Sequence, residues 1–325
     1  MFLVYHALED LPSGFAPSAL TIGNFDGVHL GHDRILRSVV EIARARQWQA
    51  VALTFHPHPT RIVAPDRVPQ LLTSPSARLA LLEQAGLDAA LVLPFTRETA
   101  GLSPEEFVSR IVAERLAARA IVVGANFRFG RGQAGDVAAL EGFGRRFNFA
   151  VRVVEPVRCR GELVSSSRVR QLISEGRVSR VARMLQRPFA VEGRVVAGRG
   201  VGSRQTVPTL NLAPETEVLP ARGVYSTCTL DPATGRRWPS VTNIGYRPTF
   251  DGKELTVETF LLSPLEGETP SRISVAFWRR LREEIRFASP ELLRAQILRD
   301  AGATEKFFRL LKAARKTDLA KEVLP

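Results

Sequence analysis

The sequence contains few cysteines and no long apolar run, and these absences exclude several protein classes. Two cysteines among 325 residues are too few for a disulfide framework or a structural zinc site. The longest apolar stretches, such as residues 50–55, are far shorter than the ~20 residues that a membrane-spanning helix needs. No lysine or arginine precedes an apolar segment at the start of the chain, which argues against a secretory signal. We therefore expect a globular cytoplasmic protein with no membrane partner.

Lysine is also scarce, although the chain is strongly basic. Only five of the 45 Lys and Arg residues are lysines, and the formal net charge is +12. The arginine excess suits anionic partners, because a guanidinium group binds phosphate in a bidentate manner. The positive residues are scattered, however, and 7% aromatic residues leave little material for stacking on bases. An arginine-rich nucleic-acid-binding protein is therefore an alternative, but we expect no nucleic-acid partner.

The chain length predicts about two domains, and the pattern of residues 1–185 predicts an α/β fold for the first of them. Short β-rich apolar runs alternate with helical patterns, which is typical of a parallel, doubly wound sheet with helices on both faces. The predicted strands are 19–22, 50–55, 89–93, 120–123 and 150–154, and the predicted helices are 33–47, 76–85, 104–116 and 136–143. Ligands in such sheets bind at the carboxyl ends of the strands.

Residues 186–325 have a different pattern, dominated by short strand-like runs between Gly, Pro and Asp residues. This pattern predicts an antiparallel barrel or sandwich. The predicted strands are 191–196, 209–212, 223–230, 240–244, 255–262 and 272–277, and two helices, 290–300 and 304–314, are predicted to close the chain. The domain boundary is placed near residues 186–188, where a proline ends a helix that begins after Ser167.

The string Gly23-Asn24-Phe25-Asp26-Gly27-Val28-His29-Leu30-Gly31-His32 follows the first predicted strand and opens a helix. Glycines permit a tight turn, and the N-terminus of the helix presents backbone N–H groups and a positive dipole end. His29 and His32 lie about one turn apart, with only glycine at position 31. The string therefore predicts a donor cluster for a phosphate group rather than a pair of ordinary surface histidines.

His56-Pro57-His58-Pro59 follows the next predicted strand, so it should lie at the same edge of the sheet. These histidines could approach substrate phosphates, or they could join His29 and His32 as metal ligands. A rigid proline loop with incidental histidines is the simplest interpretation, and the metal site lacks any thiolate or assigned carboxylate.

Two further patterns concern phosphate groups. Residues 165–170 read Ser-Ser-Ser-Arg-Val-Arg at a predicted helix start, which is either an ordinary N-terminal cap or a second anion clamp. Residues 130–135 match the dinucleotide pattern G-x-G-x-x-G, but six residues separate the first glycine from the preceding strand. The dinucleotide fingerprint requires that glycine directly after a strand, so we do not expect a dinucleotide site.

The second half contains one candidate site for phosphoryl chemistry. Thr209 and Asn211 lie on one face of a predicted strand and could complete a Mg²⁺ shell that phosphates mostly fill. Glu258 shares a strand face with Phe260 and Leu262. From the pattern alone, a structural or solvated glutamate is favoured there over a site residue at a barrel mouth.

Taken together, these motifs resemble the prokaryotic bifunctional riboflavin kinase/FMN adenylyltransferase (FAD synthetase) family over residues 20–300. The resemblance implies a nucleotidyltransferase-type domain at 1–185 and a riboflavin kinase domain with a six-stranded antiparallel barrel at 186–325. It implies ATP as a substrate, riboflavin, FMN and FAD as substrates and products, and Mg²⁺. The residues implied for adenylyl transfer are His29 and His32 as catalytic groups, with Gly23, Asn24, Phe25, Asp26, Gly27, Asn126, Ser165, Ser166, Ser167, Arg168 and Arg170 around the nucleotide. Thr209 and Asn211 are implied to bind Mg-ATP in the kinase domain, and Glu258 is implied as its base.

The kinase half departs from the family pattern in its nucleotide loop. This chain has residues other than those of the family pattern at Ser203, Thr206 and Leu210. The residues implied for phosphoryl transfer, Thr209, Asn211 and Glu258, match the pattern. A second alternative is therefore an FMN adenylyltransferase without kinase activity, whose impaired barrel only binds flavin.

Overall fold

The computed structural model describes residues 1–196, 209–249 and 252–313. The chain divides into two compact units, Met1–Ser166 and Ser167–Pro325. Among the helices of the described ranges, none is both long and apolar enough to cross a membrane.

The first unit is built on a six-stranded sheet in the order β1-β4-β3-β2-β5-β6. All neighbouring strands are parallel, as the alternating pattern predicts. The strands are β1 (Leu3–Tyr5), β2 (Ser18–Ile22), β3 (Gln49–His56), β4 (Ala89–Pro94), β5 (Ala118–Gly124) and β6 (Ala150–Val154). The short first strand, which pairs with β4, is absent from the sequence prediction because three residues carry too little periodicity.

Helices cover both faces of this sheet, and the two faces differ in side-chain size. One face carries large residues such as Leu20, Leu53 and Ile121, whereas the other carries Ala19, Ala52 and other small residues against the first helix. The helices are α1 (Leu30–Arg46), α2 (Thr60–Val63), α3 (Pro75–Gln84), α4 (Arg97–Gly101), α5 (Pro104–Glu106, continued by a π-helical segment Phe107–Arg115) and α6 (Val137–Phe147). A small hairpin of β7 (Arg158–Cys159) and β8 (Glu162–Leu163) follows the sheet.

Two short helices, α7 (Ser166–Ser174) and α8 (Val178–Leu185), replace the single helix predicted after Ser167. The break lies at Gly176, whose φ of +71° is a backbone conformation that suits glycine. Its N–H donates to the Ile173 carbonyl, which caps α7.

The second unit contains a closed barrel in the order β10-β13-β12-β11-β14-β9, with antiparallel neighbours throughout. This confirms the barrel and excludes the sandwich. The strands are β9 (Phe189–Val196), β10 (Thr209–Pro214), β11 (Gly223–Leu230), β12 (Arg237–Thr249), β13 (Gly252–Leu261) and β14 (Arg272–Arg282).

Five fully buried hydroxyl groups form a connected hydrogen-bond network across three adjacent strands of the barrel, β11, β12 and β13. The oxygens of successive members lie 2.7–2.9 Å apart, in the order Thr229, Ser240, Thr227, Thr242 and Thr259. Because each buried hydroxyl has a partner, the network avoids the cost of unsatisfied polar groups.

The prediction of two closing helices is wrong, since one helix, α9 (Pro290–Ala313), runs through the expected gap. A single glycine, Gly302, is tolerated inside a helix at a cost of about 1 kcal/mol. Packing offsets this cost: Thr304 is fully buried and its hydroxyl lies 2.8 Å from that of Ser226 on β11. The predicted last residue, Ala314, lies outside the described ranges.

Candidate functional site

The predicted phosphate-binding loop lies at the point where the strand order of the parallel sheet changes direction. β2 sits between β3 and β5, so the chain proceeds to one side through β3 and β4 and to the other through β5 and β6. The loop connects β2 to α1 at the carboxyl edge of the sheet. This edge is where open α/β sheets bind their ligands.

The two histidines of the loop are brought together at the N-terminus of α1. Their rings stack with centroids 3.8 Å apart and planes 14° apart. His29 is the N-cap residue, and its Nδ1 accepts a hydrogen bond from the His32 backbone N–H at 3.3 Å. Because Nδ1 accepts, it carries no proton in this hydrogen bond.

The environment of His32 keeps its ring neutral. Desolvation by burial, and then the nearby charge of His29, lower the pKa of His32 well below 6.5. Its Nδ1 is buried and has no hydrogen-bond partner among the described residues. A neutral imidazole at a helix N-terminus can offer a hydrogen bond without requiring a counter-charge.

Two glycines make room for the rings of this loop. A Cβ atom at Gly31 would lie 3.2 Å from Cε1 of His29, and one at Gly23 would lie 3.2 Å from Cζ of Phe25. Phe25 is only 2% exposed and contacts the edge of His32 at a centroid distance of 5.3 Å. Phe25 therefore supports the histidine from the protein side.

Asp26 ties the loop to a neighbouring segment. Its carboxylate accepts hydrogen bonds from the backbone N–H groups of Leu72 and Thr73, at 2.9 and 3.1 Å, and from the Thr73 hydroxyl. Thr73 also accepts from the Gly27 N–H at 3.2 Å. The family resemblance implies that Asp26 lies near the nucleotide, and in the structure its carboxylate holds the loop against residues 72 and 73.

Asn24 connects the loop to the histidines after β3. Its side-chain amide lies 3.1 Å from Nε2 of His58, so this histidine does lie at the loop. The described residues contain no group of three or more His, Cys, Asp or Glu arranged to hold a metal. The geometry gives no support to a four-histidine metal site.

Arg78 on α3 is a buried residue of this region that the sequence reasoning missed. Its guanidinium donates to the carbonyl oxygens of Asn24, at 3.0 Å, and Phe55, at 3.3 Å. Burial lowers its pKa, and the nearby charge of Asp26 opposes that shift. An arginine inside a helical pattern gives no signal of such a role, because the contact depends on tertiary packing.

Asn126 lies in the turn directly after β5, the strand beside β2. The adjoining glycine-rich segment forms a closed loop in which Phe129 and Gly135 pair. A Cβ at Gly130 would lie 2.7 Å from the backbone of Pro104, and one at Gly135 would lie 2.7 Å from the Phe129 ring. Gly130 and Gly135 are therefore explained by close packing against other parts of the protein, without any nucleotide contact.

Within the serine-arginine segment, α7 begins at Ser166, and Ser166 directly contacts the loop between β2 and α1. Its hydroxyl donates to the Asp26 carbonyl at 2.9 Å. Ser165 precedes the helix, whereas Ser167, Arg168 and Arg170 lie on its first turns. Ser166 therefore holds the start of this segment against the loop.

In the barrel, three polar residues form a row across adjacent strands. Glu258 on β13 is directly opposite Asn211 on β10 and Asn243 on β12. Directly paired residues share a sheet face, and all three are half-buried, whereas Thr242 and Thr259 face the opposite way. Thr209, two residues from Asn211, is on the same face and exposed. Asn243 is not among the site residues expected from the sequence.

Comparisons with known proteins cover both units. A FAD synthetase family model matches residues 12–168, and a riboflavin kinase family model matches residues 185–308. The bifunctional riboflavin kinase/FMN adenylyltransferase of Escherichia coli (strain K12) is 36% identical over 296 residues, which cover 91% of this chain and 94% of that protein. The chain belongs to the bifunctional riboflavin kinase/FMN adenylyltransferase family. This confirms the resemblance inferred from the motifs.

Other members and structures extend the family relationship. The bifunctional riboflavin kinase/FMN adenylyltransferase of Pseudomonas fluorescens is 37% identical over 291 residues, covering 87% of this chain and 90% of that protein. A crystal structure from Streptococcus pneumoniae, described as a macrolide-efflux protein, covers 94% of this chain and 98% of its own, with a TM-score of 0.83 and 25% identity.

One of the three departures from the family pattern can be located. Leu210 is 9% exposed and points to the face opposite Asn211, so this change does not alter the polar row. Ser203 and Thr206 lie outside the described residues.

Proposed function

We propose that this member of the bifunctional riboflavin kinase/FMN adenylyltransferase family carries out both reactions of its family name. The barrel would phosphorylate riboflavin with ATP to give FMN, and the sheet unit would transfer AMP from a second ATP to FMN, giving FAD and pyrophosphate. Both family models match, which supports two activities over a single adenylyltransferase. We propose that residues 1–185 catalyse adenylyl transfer and that residues 186–325 catalyse the kinase reaction.

The stacked histidine pair carries the adenylyltransferase proposal. A phosphate oxygen of FMN attacks the α-phosphorus of ATP, and pyrophosphate leaves. Because phosphate is already a competent nucleophile, catalysis consists of orientation and stabilisation of developing charge. His29 and the neutral ring of His32 would donate to phosphate oxygens at the N-terminus of α1. The surrounding binding groups would be Gly23, Asn24, Phe25, Asp26, Gly27, Asn126, Ser165, Ser166, Ser167, Arg168 and Arg170.

Glu258 carries the kinase proposal. Its carboxylate would accept the proton of the ribityl 5′-hydroxyl of riboflavin while that oxygen attacks the γ-phosphorus of ATP. The pairing of Glu258 with Asn211 supports this assignment, since the two side chains project from one face of adjacent strands.

Thr209 and Asn211 would hold Mg²⁺ at the kinase site. Their hydroxyl and amide oxygens are the hard ligands that Mg²⁺ prefers, and both project from one face of β10, so the donor set fits the ion. Bound Mg²⁺ would neutralise phosphate charge.

Incubation with riboflavin, ATP and Mg²⁺, followed by chromatographic separation of the flavins, tests the proposal. We expect FMN and then FAD to accumulate. Glu258→Gln should abolish FMN formation from riboflavin but leave FAD formation from supplied FMN unchanged, because the two reactions use separate units. Undiminished FMN production by this variant would remove Glu258 from the role of base.

We also propose a cytoplasmic location and no nucleic-acid partner. Filter binding to RNA at two salt concentrations checks the second point. Strong binding that decreases steeply with salt would instead favour the arginine-rich nucleic-acid-binding alternative.

A further inference from the structure

A carboxylate fills the space above Gly245 on β12. A Cβ atom built at Gly245 would lie 2.1 Å from Oε1 of Glu284 and 2.8 Å from its Cδ. Such distances do not occur between real atoms, so the carboxylate can occupy this position only because residue 245 is glycine. The requirement comes from close approach, since the φ of Gly245 is not positive.

This position adjoins the polar row of the barrel. Gly245 is two residues beyond Asn243, so both lie on one face of β12, and Asn243 is paired with Glu258. Two residues of a strand span about 7 Å. The Glu284 carboxylate therefore lies on the face that carries Glu258, about one side-chain length away along the strands.

Glu284 differs from its neighbours in its contacts with the part of the chain that the structure describes. Arg282 donates to the Asp300 carboxylate at 2.8 and 3.0 Å, which fixes the end of β14 against α9. Glu283 lies 3.9 Å from Arg280. Glu284 is exposed and forms no hydrogen bond or ion pair with the residues that the structure describes. Its oxygens are accessible to a ligand on this face.

We propose that Glu284 binds the internal hydroxyl groups of the ribityl chain of riboflavin and so positions the 5′-hydroxyl at Glu258. This inference rests on the proposed kinase function of Glu258. The ribityl chain is a polyol, and a carboxylate with two acceptor oxygens binds neighbouring hydroxyls through strong, charge-assisted hydrogen bonds. A negative charge at this point also disfavours ATP phosphates, which keeps the polyol and phosphate positions distinct.

Three variants test the proposal by riboflavin fluorescence quenching and by steady-state kinetics of FMN formation. Glu284→Gln should raise both the Kd and the KM for riboflavin about tenfold, with little change in kcat or in the KM for ATP. Gly245→Ala should act in the same direction, because its Cβ displaces the carboxylate. The double variant should be no worse than the stronger single variant. Glu283→Gln is the matched control and should behave as wild type.

Lumiflavin, which has the flavin ring but no ribityl chain, separates hydroxyl binding from general damage. Glu284→Gln should leave lumiflavin affinity unchanged. Equal losses for riboflavin and lumiflavin, or unchanged Kd and KM for riboflavin, would overturn the inference. Since Glu284 is exposed, its substitution should not unfold the barrel.

The same assays distinguish this inference from the proposed function. If Glu258→Gln loses FMN formation while Glu284→Gln binds riboflavin normally, only the role of Glu284 is wrong. If Glu258→Gln retains FMN formation, the base assignment is wrong, and the contrast between riboflavin and lumiflavin alone decides the role of Glu284.

Discussion

At the scale of single residues, the spacing of His29 and His32 determines what their rings can do. With Gly31 between them, the rings stack 3.8 Å apart, and two charged imidazoles at that distance would repel each other. The pair therefore suits hydrogen-bond donation to phosphate rather than storage of positive charge. The sequence indicates this pair directly, because glycine, histidine and helix onset coincide.

Replacing either histidine should separate the two proposed activities. His29→Ala or His32→Ala should reduce FAD formation from FMN about 10²–10³-fold, as expected for loss of a donor at a developing charge. FMN formation from riboflavin should continue. His6→Ala, at an exposed position, is the matched control. Loss of both activities in the variants would mean that the site is misplaced.

The depressed pKa of His32 should make stability depend on pH. As pH falls from about 6.5, the unfolded chain gains a proton at this residue that the folded chain resists, so the free energy of unfolding decreases. Stability from this source is complete above the unfolded pKa and is lost as pH falls toward the folded pKa. Thermal unfolding of His32→Gln should consequently shift less than that of wild type between about pH 7 and pH 5. Parallel shifts in the two proteins would contradict this expectation.

At the scale of helices and strands, long periodic segments could be predicted and contacts between them could not. Strands such as Ala50–Phe55 and Gly223–Leu230 follow from their apolar runs, and the structure places strands there. The break at Gly176 and the continuity of α9 through Gly302 depend on what each glycine meets in the folded chain. A Cβ would clash at the first and meets nothing within 4 Å at the second. The contacts of Arg78 and Asp26 could not be predicted from the sequence either, because their hydrogen-bond partners lie far away in the chain.

Gly176 should be sensitive to substitution for two separable reasons. Alanine there would adopt a left-handed conformation, and its Cβ would lie 2.8 Å from the Tyr225 hydroxyl, which donates to the Ala221 carbonyl. Gly176→Ala should destabilise the protein by about 2–4 kcal/mol. Gly235→Ala has a similar positive φ with no atom within 4 Å, so it should cost only about 1–2 kcal/mol. Chemical denaturation of both variants measures the difference, and equal losses would show that the contact with Tyr225 is unimportant.

At the scale of the whole molecule, the chain combines two units whose architectures have nothing in common. One has its candidate site at the carboxyl edge of a parallel sheet, and the other presents polar side chains on the face of a barrel. The change in residue pattern near position 186 predicts two domains, and the structure divides into two compact units at Ser166 and Ser167. Each proposed site contains its assigned catalytic residues within one unit.

Mixing two inactive variants should therefore restore the overall reaction. His32→Ala and Glu258→Gln alone should not convert riboflavin to FAD, whereas an equimolar mixture should do so, because FMN released by one variant is a substrate for the other. Chromatography of the flavins after incubation with ATP and Mg²⁺ measures the product. No FAD in a mixture that accumulates FMN would contradict independent action of the two sites.

The buried hydroxyls of the barrel depend on one another. Each hydroxyl group can donate only one hydrogen bond. The direction in which Thr227 donates therefore determines whether the hydroxyls of Ser240 and Thr242 act toward it as donors or as acceptors. Replacing Thr242 alone by valine would leave the hydroxyl groups of Thr227 and Thr259 without this hydrogen-bond partner. Each buried group left unsatisfied would cost about 1–3 kcal/mol. Replacing all five hydroxyl residues by apolar ones would leave no unsatisfied hydroxyl group in the network. An apolar version of this part of the core should consequently require several substitutions at once, because each single substitution leaves polar groups unsatisfied.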